Sequence, residues 1–264
     1  MRIENRRVLL TGASGGLGRA IACEMSRRGA YLILTGRNKT ALEDTARMCS
    51  GEIIVADLAE PEAPAKLAEA AGRIDILVAN AGLPGSGLLT DLSVSDIDRA
   101  IAVNLRSHMV LARQVIEQSR ERRSGHLVFV SSLSGKTAAP RSSVYNATKF
   151  GLRGFGLALR EELRSDGVGV STIFPGFIRD AGMFADSGPI RLPRFVGTSS
   201  PEDVADAVVR AVRKNICEID VAPFGMRVGS RFAPIAPSLS AAVQRWFGAD
   251  RLVADLAAGQ LNKR

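Results

Sequence analysis

The 264-residue chain is poor in the residues that build metal sites and disulfides. It holds two histidines, His108 and His126, with no H-E-x-x-H motif and no Cys/His cluster, so no metal is expected. Its three cysteines, Cys23, Cys49 and Cys217, are odd in number and far apart. That argues against a disulfide framework and for a reducing, cytoplasmic setting. Apolar runs break off well before the roughly 18 residues that suggest a membrane span. The N-terminus passes from a few polar residues directly into an apolar run, so no secretory leader is expected. Composition breaks, repeats and low-complexity tracts are also missing, which favours one domain over residues 1–264.

Acidic residues are in deficit: 27 Asp and Glu face 35 Lys and Arg, a net charge of +8. Such a surplus suits nucleic acid, an acidic membrane or an anionic ligand. The arginines are scattered, however, and the densest cluster, Arg120-Glu121-Arg122-Arg123, falls at an apparent helix end where cations meet exposed carbonyls. A solvated basic surface is expected, and no nucleic-acid partner.

What the chain does have is alternation. Short β-branched runs at 7–11, 31–35, 52–56, 74–79, 126–131, 168–174 and 218–222 read as seven buried strands. Helical patterns lie between them near 16–28, 39–48, 61–71, 95–120, 143–165 and 201–214, the last opened by Ser200, Pro201 and Asp203. The order predicts an α/β protein: a Rossmann-type doubly wound parallel seven-stranded sheet with helices on both faces. The core spans about 6–223. A Gly- and Pro-containing segment at 177–199 has the character of a binding loop, and an extension follows at 224–264.

The turn after the first strand reads Thr11-Gly12-Ala13-Ser14-Gly15-Gly16-Leu17-Gly18. Glycines let a pyrophosphate approach the backbone, and the amides of a starting helix attract its charge. A lone glycine turn is a weak signal, but this one lies between a strand and a helix, the context a dinucleotide site requires. An acidic residue about 20 positions on would accept a ribose 2′-hydroxyl. The chain instead offers Arg37, in Thr35-Gly36-Arg37-Asn38, to meet a 2′-phosphate. NADP(H) is therefore expected ahead of NAD(H).

Tyr145 and Lys149 lie one helical turn apart on one face, and Tyr145 is one of only two tyrosines. A surface pair would explain that spacing. So would a phenol acting as a general acid, its pKa near 10 brought towards neutrality by an ammonium neighbour.

The ordered set of motifs resembles the classical short-chain dehydrogenase/reductase (SDR) family over about residues 6–223. The motifs are Thr11–Gly18, Asp57-Leu58, Asn80-Ala81-Gly82, Asn104, Ser132, Tyr145-x-x-x-Lys149 and Pro175-Gly176, with Ser132 preceding Tyr145 by 13 positions. The resemblance implies an enzyme in which Tyr145 exchanges the proton. Lys149 tunes it and binds the nicotinamide ribose, Ser132 holds the substrate oxygen, and Asn104 joins a water relay. It implies cofactor contacts from Gly12, Ser14, Gly15, Gly16, Leu17, Gly18, Arg37, Asp57, Leu58, Asn80, Ala81 and Gly82. Tyr145, Lys149, Pro175, Gly176 and Ile178 complete that set. Two departures stand out: Gly15 occupies a position where some relatives carry a second basic residue, and Asp180 one where many carry threonine. Asp180 is open to a carboxamide contact or to pairing with Arg179.

The expected substrate is a small hydrophobic ketone or secondary alcohol, because the flanking loops supply Leu83, Leu88, Leu133, Phe177, Met183, Phe184 and Phe195. A ketoacyl-type reductase acting on carrier-linked substrates is an alternative, as is a non-catalytic NADP(H) sensor. The sensor reading is weakened by the presence of Ser132, Tyr145 and Lys149. For the basic, apolar extension three roles are open: packing on another subunit in a homodimer or homotetramer, which is favoured, covering the cleft, or touching a membrane surface.

Overall fold

The computed structural model describes residues 1–185 and 196–246, together with 253, 254, 256 and 258–260. Seven parallel strands, β1 (Arg7–Thr11), β2 (Tyr31–Gly36), β3 (Glu52–Val55), β4 (Ile76–Ala79), β5 (Gly125–Val130), β6 (Val168–Pro175) and β7 (Glu218–Val221), form one sheet. Their order is β3-β2-β1-β4-β5-β6-β7. The chain reverses its direction of winding between β1 and β4, which opens a crevice beyond the carboxyl ends of those strands.

Strand alternation divides the core. Val8, Leu10, Ile76, Val78, Val128 and Val130 face one layer, packed with side chains of α1 (Gly16–Arg27) and α2 (Lys39–Cys49). Leu9, Leu77, Leu127 and Phe129 face the other, against α3 (Ala63–Ala71) and its later neighbours on that side. The long helical pattern expected over 95–120 is two helices, α4 (Val94–Ile101) and α5 (Ser107–Glu121), joined by a π turn at Ala102–Arg106. The wider turn resets the helical phase and carries Asn104 fully inside. Then follow α6 (Ser143–Glu162), α7 (Gly182–Ala185), α8 (Pro201–Lys214), α9 (Phe224–Phe232) and α10 (Pro237–Trp246). Helix α8 begins as expected: Ser200 and Asp203 close a reciprocal capping box with Pro201 in the first turn. Elsewhere β3 stops at Val55 and β4 starts at Ile76, each shorter than its apolar run suggested.

The basic cluster at the end of α5 is used internally. Arg120 pairs with Asp166 at 2.6 Å, Arg122 donates to the Ile74 carbonyl, and Arg123 donates to that of Ser165. These arginines tie the helix end to the loops beneath it.

Both histidines are buried, and burial pushes each imidazole down to about 3. The unfolded chain therefore binds protons near pH 6.5 that the folded chain refuses. The stability that neutral imidazoles allow is complete above 6.5 and falls as pH drops towards 3. We expect a loss of about 2 kcal/mol per histidine between pH 6.5 and 5. Urea midpoints over that range measure it, and His126→Gln should flatten the slope by about half.

Candidate active site

The turn between β1 and α1 requires glycine at two positions. Gly12 has φ +64°, and a Cβ there would lie 2.9 Å from the Ala81 Cα. At Gly18 a Cβ would fall 2.1 Å from the Gly12 carbonyl oxygen, so only glycine lets α1 start this close to the strand. Gly15 precedes the helix with extended backbone and no side-chain cap, and the first turn carries no acidic residue. By contrast α2, α4 and α8 are each capped by a side chain, from Asn38, Ser93 and Ser200. The uncapped amides of Gly16, Leu17 and Gly18, with no carboxylate beside them, fit a dinucleotide pyrophosphate. Ser14 lies against Gly36 at the end of β2.

Thr11 fixes the next wall. Its hydroxyl accepts from the backbone amides of Asn80 and Ala81, both at 2.9 Å, while the Asn80 side chain donates to the carbonyls of Thr11 and Gly12. Asn80 thus staples the end of β4 to the glycine turn, and Gly82 lines the cleft beyond it. At the outer end, Asp57 accepts from the Ala59 amide and from Arg99 at 3.3 Å, and Arg37 approaches it at 3.9 Å. Two half-exposed guanidiniums around one carboxylate leave this end with a net positive charge, complementary to a phosphate. Arg99 had no motif to announce it. Leu58, next along, is buried in the core.

The reacting end lies at the carboxyl edge of β4, β5 and β6. Ser132 follows β5, and its hydroxyl accepts from the Ser134 amide and hydrogen-bonds the Tyr145 phenol. Ser131 points away, donating to the Lys149 carbonyl as strand alternation requires. The Lys149 ammonium lies 5.6 Å from the Tyr145 ring centre and donates to the Val130 carbonyl at 3.1 Å. The ionisation differs from the expectation. Burial pushes the Tyr145 phenol up to about 12 despite the bond to Ser132, and burial brings the Lys149 ammonium down to about 8. In this state desolvation outweighs the bond from Ser132. The phenol is a filled proton donor at neutral pH.

Asn104 is placed for support. Its Oδ1 accepts from the Leu83 amide at 2.7 Å and its Nδ2 donates to the Leu83 carbonyl at 2.9 Å and to the Thr148 hydroxyl at 3.4 Å. Both ends of the side chain are therefore engaged with protein inside the π turn. Gly82, Asn104 and Lys149 converge on one spot, since a Cβ on Gly82 would lie 3.6 Å from Asn104 Oδ1 and 3.7 Å from Lys149 Nζ.

The cleft holds about 230 Å³ of space. Leu133, Phe177, Met183 and Phe184 line it as expected, with Phe177 and Phe184 tilted together at 5.0 Å, whereas Leu88 is exposed and Leu83 lies behind the wall. Ile178 is buried in the wall and bridges to Ser199, so the substrate loop is pinned at its neck. Pro175 ends β6, and the Gly176 amide donates to the Val221 carbonyl at 2.9 Å. Asp180, with φ +64°, pairs with Arg179 at 3.6 Å rather than entering the cleft. Phe195 lies outside the described residues.

The extension contributes what no motif announced. Met226, Val253, Leu256 and Gln260 line the cleft, and the Gln260 amide donates to the Met183 carbonyl at 3.3 Å. Part of the extension therefore covers the cleft, one of the three roles left open for it. Beneath the floor, buried Lys136 joins Asp220 at 2.6 Å and Glu218 at 3.0 Å, and Arg153 joins Glu218 at 2.7 Å. Burial alone would raise the Glu218 carboxyl, but its bonds from Arg153 and Lys136 prevail and hold it below its usual value. This network ties the turn after Ser132 to β7.

Comparison with known proteins agrees with this geometry. Residues 6–189 match the family described as short chain dehydrogenase. The chain is 32% identical to the ketoacyl reductase HetN of a Nostoc species, an alignment covering 93% of this chain and 90% of that one. It is 35% identical to the 3-oxoacyl-[acyl-carrier-protein] reductase FabG of Rickettsia conorii, over 65% of this chain and 72% of that one. Among solved structures, a metagenomic short-chain oxidoreductase in complex with NADP superposes with a TM-score of 0.71 at 31% identity, covering 84% of this chain and 99% of that one.

Proposed function

Because the chain belongs to the short-chain dehydrogenase/reductase family of NAD(P)-dependent oxidoreductases, we propose that it interconverts a hydrophobic ketone and its secondary alcohol with NADP(H). The observation that carries this reading is the meeting of Ser132, Tyr145 and Lys149 in one cleft whose only charged lining side chain among the described residues is Lys149. An uncharged, apolar carbonyl compound suits such walls.

The bound nicotinamide would supply or take the hydride. The uncapped start of α1 would hold its pyrophosphate, and Lys149 its ribose. Ser132 donates to the substrate oxygen and keeps it beside the Tyr145 phenol. As negative charge gathers on that oxygen, Tyr145 delivers its proton, and the Lys149 ammonium stabilises the phenolate left behind. Asn104, held by Leu83 beside Lys149, would stand where a water could return the proton to the ammonium. Apolar walls from Phe177, Phe184 and the extension keep bulk water from the reacting carbon.

The direct test is a panel of carbonyl and alcohol compounds with each nicotinamide cofactor, following absorbance of the reduced ring. Turnover of apolar ketones with NADPH supports the proposal; a fully inert panel, with dinucleotide binding intact, sinks it and favours a sensor. The names of the relatives favour including ketoacyl thioesters. Preferential turnover of carrier-linked substrates would move the assignment to that branch.

The preference for NADP(H) rests on Arg37 and Arg99 around Asp57. A charge-assisted contact contributes about 1.5–3 kcal/mol, so Arg37→Leu should raise KM for NADPH by about 10- to 100-fold. Its KM for NADH should stay nearly unchanged, and steady-state kinetics with both cofactors decides it.

A homodimer or homotetramer formed through the long helices belongs to the same proposal. Exposed Phe150 and Leu157 on α6, with open space at Gly154 between them, support it. A cytoplasmic setting is part of the proposal too, supported by three cysteines that are all free.

A further inference from the structure

Helices α9 and α10 leave their apolar residues outside. On α9, Phe224, Val228 and Phe232 follow one another every four residues, and on α10, Leu239, Val243 and Trp246 repeat the helical spacing. Each set therefore occupies one side of its helix. Phe232 is 63% exposed, Leu239 66% and Trp246 82%, and Ile235 in the turn between the helices is 77% exposed. So regular an apolar series is not scattered surface hydrophobicity. Phe224, Val228, Phe232, Ile235, Leu239 and Val243 together make an exposed apolar surface of the kind that marks an interaction site.

Charge identifies that partner. Residues 224–249 contain Arg227, Arg231 and Arg245 and no aspartate or glutamate, and of the three Arg231 pairs with the buried Asp220 of β7 at 3.5 Å. The Arg227 guanidinium lies 5.9 Å from the ring centre of Phe224, so cation and apolar surface coincide. Apolar side chains interleaved with arginines, and aromatic rings among them, suit the boundary between anionic headgroups and acyl chains. A second copy fits less well, because a two-fold pairing would bring arginines against arginines across two helices that carry no carboxylate of their own. We propose that the α9–α10 face docks on an anionic lipid bilayer. This gives the cleft a lipid-facing entrance, since Met226 of α9 lines the cleft while Phe224 and Val228 lie in the exposed series. The proposal stands without the oxidoreductase reading, and its readouts do not depend on turnover.

The test uses the full chain with vesicles of phosphatidylcholine alone or mixed equally with phosphatidylglycerol. We expect co-sedimentation with the mixed vesicles, weakened by salt, and little with the neutral ones. Trp246 is the only tryptophan, so its emission should shift to shorter wavelength on docking. The double variant Phe232→Glu/Leu239→Glu alters two exposed positions and should weaken docking by at least about tenfold. Absence of co-sedimentation, or docking that the double variant leaves unchanged, overturns the proposal. So does a fall in oligomer size in the variant without any lipid binding, which assigns the face to a second copy.

Discussion

Tyr145→Phe should keep the fold and the affinity for the dinucleotide while kcat falls by about 10²- to 10⁴-fold, the usual contribution of a positioned proton donor. The ring stays, so the apolar wall stays; only the hydroxyl that bonds Ser132 is removed. The pH dependence sharpens the test. With the phenol raised to about 12 by burial, carbonyl reduction starts from the protonated form and should be flat in pH across neutrality. It should decline where Lys149, brought down to about 8, loses the charge that stabilises the phenolate. Alcohol oxidation needs phenolate and should rise with pH. Stopped-flow rates in both directions measure these slopes. Full turnover by the Phe variant would remove Tyr145 from the mechanism.

Lys149→Met should separate activity from stability. Activity should fall on the same scale, because neither ribose nor phenolate then has a cation. Stability should rise. Moving the Lys149 ammonium from 10.5 down to about 8 corresponds to about 3 kcal/mol against the charged form. Methionine of similar length removes that penalty and leaves the Val130 carbonyl without its donor, a loss of about 1 kcal/mol. A net gain of about 1–2 kcal/mol at pH 7 is expected from urea unfolding. The sign can be checked independently. Between about pH 8 and 10.5 the unfolded chain holds the proton that folded Lys149 has released, so wild-type stability rises with pH and the gap to the variant narrows.

Most of the scaffold was legible because its information is local. β-branched runs, the glycine turn and the Ser200 capping box each specify their own geometry within a few residues. The π turn was not legible, because the apolar pattern over 95–120 continues through it without a glycine or proline to mark the change. Arg99 beside Asp57 and Lys136 beside Asp220 join residues 42 and 84 positions apart, pairings that only the folded chain discloses. The phenol's ionisation was misjudged for a related reason. Spacing reveals a neighbouring cation but not how completely the surroundings exclude water.

The Ile178–Ser199 bridge has a consequence for how this enzyme can diversify. The bridge joins the ends of a segment whose described residues still pack on the site, since Ala181 lies against Gly16 and Met183 and Phe184 line the cleft. Because ring-closure entropy grows only slowly with length, the stretch between the two ends can be lengthened at small thermodynamic expense. Added length there thus costs little in closure, whereas a change at Met183 or Phe184 alters the cleft wall itself.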